Sequence, residues 1–143
     1  MKFTDSEAFK ELGKDYKLLS LETGNFYFYK NLVIVEINKG VDFTFESSRE
    51  LVEFTIKFYD WKPFGYISNR VNSYSSNPED YPKVNNYITN IVSFAVVTYT
   101  MTSKNFTILE KKFCKKPFQN FSNLSDAVKW TIEQLESKSS KTT

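Results

Sequence analysis

Two segments constrain this chain more than any others. Leu32-Val33-Ile34-Val35-Glu36-Ile37 and the run from Ile91 to Tyr99 are almost continuously apolar and rich in β-branched side chains. A strand wetted on one side alternates polar with apolar residues, whereas one covered on both sides does not. Each run therefore reads as a central strand. Helices packed on one or both faces of the sheet supply the cover. Leu51, Phe54 and Phe58 share a face at helical spacing, and so do Tyr81, Val84 and Ile88, and then Phe106, Leu109 and Phe113.

The remaining elements follow from turn and cap chemistry. Thr4-Asp5-Ser6-Glu7 fits a capping box for a short helix through Phe9 and Leu12, stopped by Gly13. Tyr16 to Leu21 and Phe26 to Tyr29 read as strands joined by the Thr23-Gly24-Asn25 turn. With Lys30-Asn31 as a second tight turn, the first three strands make an antiparallel meander. Thr44 or Ser47 caps the next helix, which Pro63 ends, and Pro63 to Ser68 is a short strand. Asn77-Pro78-Glu79-Asp80 is a strong helix start: a side-chain cap, a proline at the first helical position, and two acids at the positive end of the dipole. Ser103 caps a further helix, and Pro117 to Phe121 is a strand at an edge, where proline is tolerated. Asn123 caps a last helix carrying Leu124, Ala127, Val128, Thr131 and Leu135, and residues 137–143 are expected to fray as a flexible tail. Three strands followed by alternating helices and strands imply parallel pairing with right-handed crossovers, hence one mixed α/β domain over residues 1–143.

Composition excludes several functions. The chain has no histidine, which removes His-based triads, His-metal sites and His pH switches. A net charge of +2 gives no domain-wide footprint for nucleic acid. The lone Cys114 forms no intramolecular disulfide, no apolar run reaches the roughly 18 residues of a membrane helix, and the opening Met1 to Glu7 does not read as a secretory signal. A cytoplasmic protein without cofactor, metal or stable membrane insertion is expected. The four glycines are scattered singly, so there is no phosphate-cradling loop.

The polar stretch from Ser68 to Asn77 stands apart. It follows a buried strand, and crevices beyond strand carboxyl ends are common docking places in open α/β sheets. Its hydroxyls, amides and single guanidinium suit binding better than acid–base chemistry. Ser68, Asn69, Arg70, Asn72, Ser73 and Tyr74 are the candidate contacts for a partner or ligand. Arg70 either forks onto an oxyanion or folds the loop down by pairing with Asp80 or Glu79, and the two readings stand level. Of Tyr66, Tyr74 and Tyr81, the first and last read as core and Tyr74 as the one exposed, because the loop around it is polar. Ser73, Ser75 and Ser76 are candidate phosphorylation sites near a helix start. Turn and cap chemistry is the favoured reading for them, because Glu79 and Asp80 would repel a phosphate there. Glu46/Glu50 and Glu79/Asp80 read as caps. Lys111, Lys112, Lys115 and Lys116 read as a solvated helix end, and Cys114 as a spectator.

The chain resembles the SpoIIAA-like proteins of the STAS superfamily, in particular small, uncharacterised bacterial STAS-like proteins. The resemblance runs from about Tyr16 to Leu135. It is carried by Gly24 to Phe28, Leu32 to Gly40, Tyr66 to Arg70, Ser73 to Ser75 with Pro78, and Phe94 to Tyr99. It implies a mixed sheet with four to five helices. Some such proteins are anti-sigma-factor antagonists switched by phosphorylation of a serine at a helix start, and others sit on anion transporters or in stress-sensing complexes. The switch proteins carry an Asp-Ser-(Ser/Thr)-Gly-like run, where this chain has Tyr74-Ser75-Ser76-Asn77-Pro78-Glu79. The expectation is thus a non-enzymatic regulatory module that docks an unknown protein partner through the loop after the fourth strand. The alternative is a carrier of a small, lipid-like apolar molecule, with a pocket between sheet and helices.

Overall fold

The computed structural model describes residues 1–141. In chain order the strands are β1 (Lys17–Leu21), β2 (Gly24–Phe28), β3 (Leu32–Ile37), β4 (Asp42–Phe43), β5 (Phe64–Asn69), β6 (Ser75–Ser76), β7 (Ile91–Val97) and β8 (Phe118–Phe121). The α-helices are α1 (Glu7–Leu12), α2 (Arg49–Tyr59), α3 (Asp80–Tyr87), α4 (Met101–Phe113) and α5 (Leu124–Lys141). Six strands form one mixed sheet in the order β1-β2-β3-β5-β7-β8. The β1-β2-β3 meander is antiparallel, and β3, β5, β7 and β8 run parallel. The chain is thus mixed α/β, with β3 and β7 buried along their whole lengths and β8 at an edge.

Strand alternation divides the side chains between two cores. On the front face Phe28, Val35, Phe64 and Phe94 pack against Leu51, Val52 and Tyr59 of α2 and against Tyr81 and Val84 of α3. On the rear face Ile34, Ile67 and Ala95 pack against Leu124, Ala127 and Val128 of α5, with Phe3 and Ala8 from the amino-terminal segment. The α5 helix lies so close to β5 that a Cβ on Gly65 would overlap Thr131 Cγ2.

The structure departs from the sequence expectations in specific places. Ser6, not Thr4, caps α1 by accepting the Phe9 N–H, because Phe3–Asp5 is a separate 3-10 turn. Thr100, not Ser103, caps α4, and the Ser103 N–H is the donor to its hydroxyl. The buried residues of α4 are Thr107 and Glu110, while Leu109 is 44% exposed. The two-residue strands β4 and β6 pair in parallel as a second small sheet that the periodicity does not show. Helix α5 continues past Ser137, where fraying is expected, to Lys141, and residues 142 and 143 of the expected tail lie outside the described residues.

Candidate functional site

The front face is not filled completely. Between the sheet and the helices α2 and α3 lies a partly open cavity of about 110 Å³. Leu51, Val52, Val84, Ile88, Ile91 and Phe94 wall it with apolar surface. Its other end is polar: Tyr66, Ser68, Arg70, Tyr74, Tyr81 and Glu110 converge there.

Local structure explains why these side chains meet. On β5 and the residue after it, alternation points Phe64, Tyr66, Ser68 and Arg70 into the cavity. The small β4/β6 sheet ties residues 42–43 to 75–76, and Phe43 meets the Tyr74 ring edge-on at 6.2 Å. The start of α3 is anchored to the same rim. Asn77 Oδ1 accepts the Glu79 N–H at 3.0 Å, and the Asp80 carboxylate accepts the Phe45 N–H at 2.9 Å. Asp80 therefore joins two loops rather than capping its own helix, and Glu46 pairs with Lys83 across the rim at 3.0 Å.

At the polar end Arg70 forks onto Glu110, with guanidinium–carboxylate distances of 2.5 and 2.7 Å. The two side chains are only 9% and 2% exposed. Tyr81 donates its hydroxyl to the same carboxylate at 2.6 Å. Arg70 Nε reaches Ser68 Oγ at 3.4 Å, Ser68 Oγ lies 3.3 Å from the Tyr74 hydroxyl, and the guanidinium stands 5.9 Å over the Tyr74 ring. A fork of this kind satisfies both charges at once. Burial works to lower the Arg70 pKa, but Tyr74 and the hydrogen-bonded Glu110 hold it above the ordinary guanidinium range. Burial, followed by the Glu110 charge, pushes the Tyr81 phenol well up, and burial followed by Tyr74 raises Tyr66. The cavity end is one closed Arg70–Glu110 ion pair flanked by the Tyr66, Tyr74 and Tyr81 phenols. The Tyr66 hydroxyl makes no hydrogen bond among the described residues, and Tyr66 lines the cavity.

The six candidate contact residues are not one exposed surface. Ser68 and Asn69 are buried, and Arg70 points into the molecule. The intramolecular partner of Arg70 is Glu110, not Asp80 or Glu79. Asn69 faces the rear, where its amide donates to Glu36 Oε2 at 2.7 Å and to the Met1 carbonyl at 3.0 Å. Asn72 donates to the Ile37 carbonyl. Tyr74, expected to be the exposed one of Tyr66, Tyr74 and Tyr81, is half-buried on the front core. Ser73 and Ser75 are exposed and Ser76 is half-buried, and Ser75 Oγ donates to Asp42 at 2.8 Å, a neighbour that would repel a phosphate. Cys114 is half-buried with its thiol pKa raised by burial, as befits a spectator.

Glu110 is the residue that sequence reasoning missed. It occupies the middle of an i, i+4, i+7 stripe with Phe106 and Phe113, where an acid on an apolar face signals a buried partner. Glu36 gives a weaker signal of the same kind, an acid inside a central strand. No group of three or more His, Cys, Asp or Glu residues could hold a metal ion among the described residues, and no helix there is long and apolar enough to cross a membrane.

No family model matches the chain, and no curated protein is significantly similar to it. Among solved structures it is similar to the crystal structure of an uncharacterized protein from the DUF3478 family with a SpoIIAA-like fold from Shewanella loihica PV-4. The two share 11% identity over 81% of this chain and 91% of that one, with a TM-score of 0.49.

Proposed function

We propose that this chain is a non-enzymatic small-molecule-binding module that holds a compact, largely apolar molecule in the front-face cavity. The observation that carries this reading is the cavity itself: about 110 Å³, apolar on its walls and polar at one end. Protein interiors are close-packed, and voids much larger than a water molecule are few. An enclosed apolar cavity of about 150 Å³ binds benzene; the space here is smaller but open on one side, so it suits a short acyl segment or a ring that projects toward the mouth. An apolar pocket with a few convergent polar groups is the usual form of a ligand site.

The polar groups favour binding over chemistry. Glu110 is engaged by Arg70 and Tyr81, and Asp80 by the Phe45 amide and Lys83. Neither is free to act as a general base. Docking of a protein partner through residues 68–77 is supported less, because its central side chains turn inward and leave Ser73, Ser75 and Asn77 as the exposed edge.

Native mass spectrometry of the chain purified from cells tests the proposal. The wild type should carry a small organic mass that Val84→Phe, which fills the cavity wall, loses. A bare mass for both, with a protein co-purifying, would favour docking instead.

A further inference from the structure

We infer that the molecule bound in the front-face cavity is electrically neutral, about one ring in size, and carries a single hydrogen-bonding group seated against the Tyr66 hydroxyl. This rests on the pocket reading above and adds the chemistry of the ligand.

Size comes from the cavity, which is smaller than the roughly 150 Å³ that accepts benzene as an enclosed void but is open on one side, so that a substituent can extend toward the mouth. Neutrality comes from the charge balance. The guanidinium at the polar end is already forked onto Glu110, whose two oxygens are taken by Arg70 and Tyr81. An anion would enter beside a satisfied guanidinium and a carboxylate of its own sign. A cation would find Glu110 fully engaged and Arg70 next to it. The other carboxylate on the lining, Asp80, is held by Lys83 and the Phe45 amide at the rim. Either ion would shed its water without gaining a counter-charge, which is strongly unfavourable in a low-dielectric site.

The single polar group comes from Tyr66. Ser68 and Tyr74 lie within reach of each other, Tyr81 is bonded to Glu110, and Arg70 is bonded to Glu110 and Ser68. Tyr66 alone among the cavity's tyrosines has no hydrogen-bond partner among the described residues. That hydroxyl faces the open cavity and can either donate or accept. An alcohol, phenol, ketone or amide oxygen on the ligand would satisfy it.

Four matched probes test the inference on the full chain: benzyl alcohol, toluene, benzoate and benzylammonium, titrated by NMR into the wild type and Tyr66→Phe. Benzyl alcohol should bind tightest. Toluene should be weaker by about 3- to 10-fold, the worth of one net hydrogen bond, and each ion weaker by more than that. Tyr66→Phe should bring benzyl alcohol down to the toluene affinity and leave toluene unchanged. If benzoate or benzylammonium equals benzyl alcohol in the wild type, or if Tyr66→Phe leaves benzyl alcohol unweakened, the neutral-ligand inference is overturned while the pocket reading stands. If none of the four binds the wild type at millimolar concentration, the pocket reading fails and the inference with it. The order of the four probes on the wild type needs no variant, so a folding defect in Tyr66→Phe would not spare the inference.

Discussion

Arg70 takes its charge into the protein, and the energetics of the front face follow from that. Removing one partner of a buried ion pair strands the other, at a cost of about 3–5 kcal/mol, whereas replacing both with apolar groups of similar volume is often neutral. Glu110→Gln should therefore destabilise the chain by about that amount, and Arg70→Met combined with Glu110→Leu by much less, as read by urea denaturation. A loss in the double variant as large as the two single-variant losses added together would mean that the pair is not coupled. The tyrosines add a pH dependence. Tyr59, Tyr66 and Tyr81 all have pKa values raised above 10.0, chiefly by burial. Such groups contribute stability in full below their unfolded pKa of about 10 and lose it as pH climbs through the folded values. The urea midpoint should hold up to about pH 10 and then fall, with tyrosinate absorbance rising in the same step as unfolding. A midpoint that stays flat to about pH 12 would contradict this. At this scale the sequence was only partly legible. Arg70 stands out as the one guanidinium in a polar loop, but its carboxylate lies 40 residues away on another element, and only tertiary docking brings the two together.

Elements read more clearly, wherever burial imposes a period. The two apolar runs are the fully buried β3 and β7, and the stripe of Leu51, Phe54 and Phe58 is α2. What escaped has no period to show. The strands β4 and β6 are two residues each, held by pairing across more than thirty positions of sequence. The inward face of α4 was misassigned because apolar spacing alone favours Leu109, while the helix buries Thr107 and Glu110. Gly65 shows how closely elements approach. It has no left-handed backbone to explain it; its place is fixed by Thr131 of α5 lying directly over β5. Gly65→Ala should lower stability by about 1–3 kcal/mol through overpacking. Thr131→Ser, which removes the offending methyl and keeps the hydroxyl bond to the Ala127 carbonyl, should restore much of the loss in thermal denaturation. A Gly65→Ala variant as stable as the wild type would show that α5 is not seated there.

For the molecule as a whole, the mixed sheet separates a rear core, closed by α1, α5 and the amino-terminal segment, from a front core that α2 and α3 cover without filling. The architecture was legible because it follows from which strands are buried. The cavity was not, since a row of phenylalanines and tyrosines reads the same whether it fills a core or lines a hollow. The occupant of that hollow is therefore the point on which the functional reading turns. It is tested most directly by methyl NMR of the full chain during titration with benzyl alcohol. Shifts should be confined to the cavity wall, the methyls of Leu51, Val52, Val84 and Ile88, and leave the rear-face methyls of Ile34, Ile67, Leu124 and Val128 where they are. Unmoved cavity methyls, or shifts centred on the rear face, would contradict the assignment of the front cavity as the ligand site.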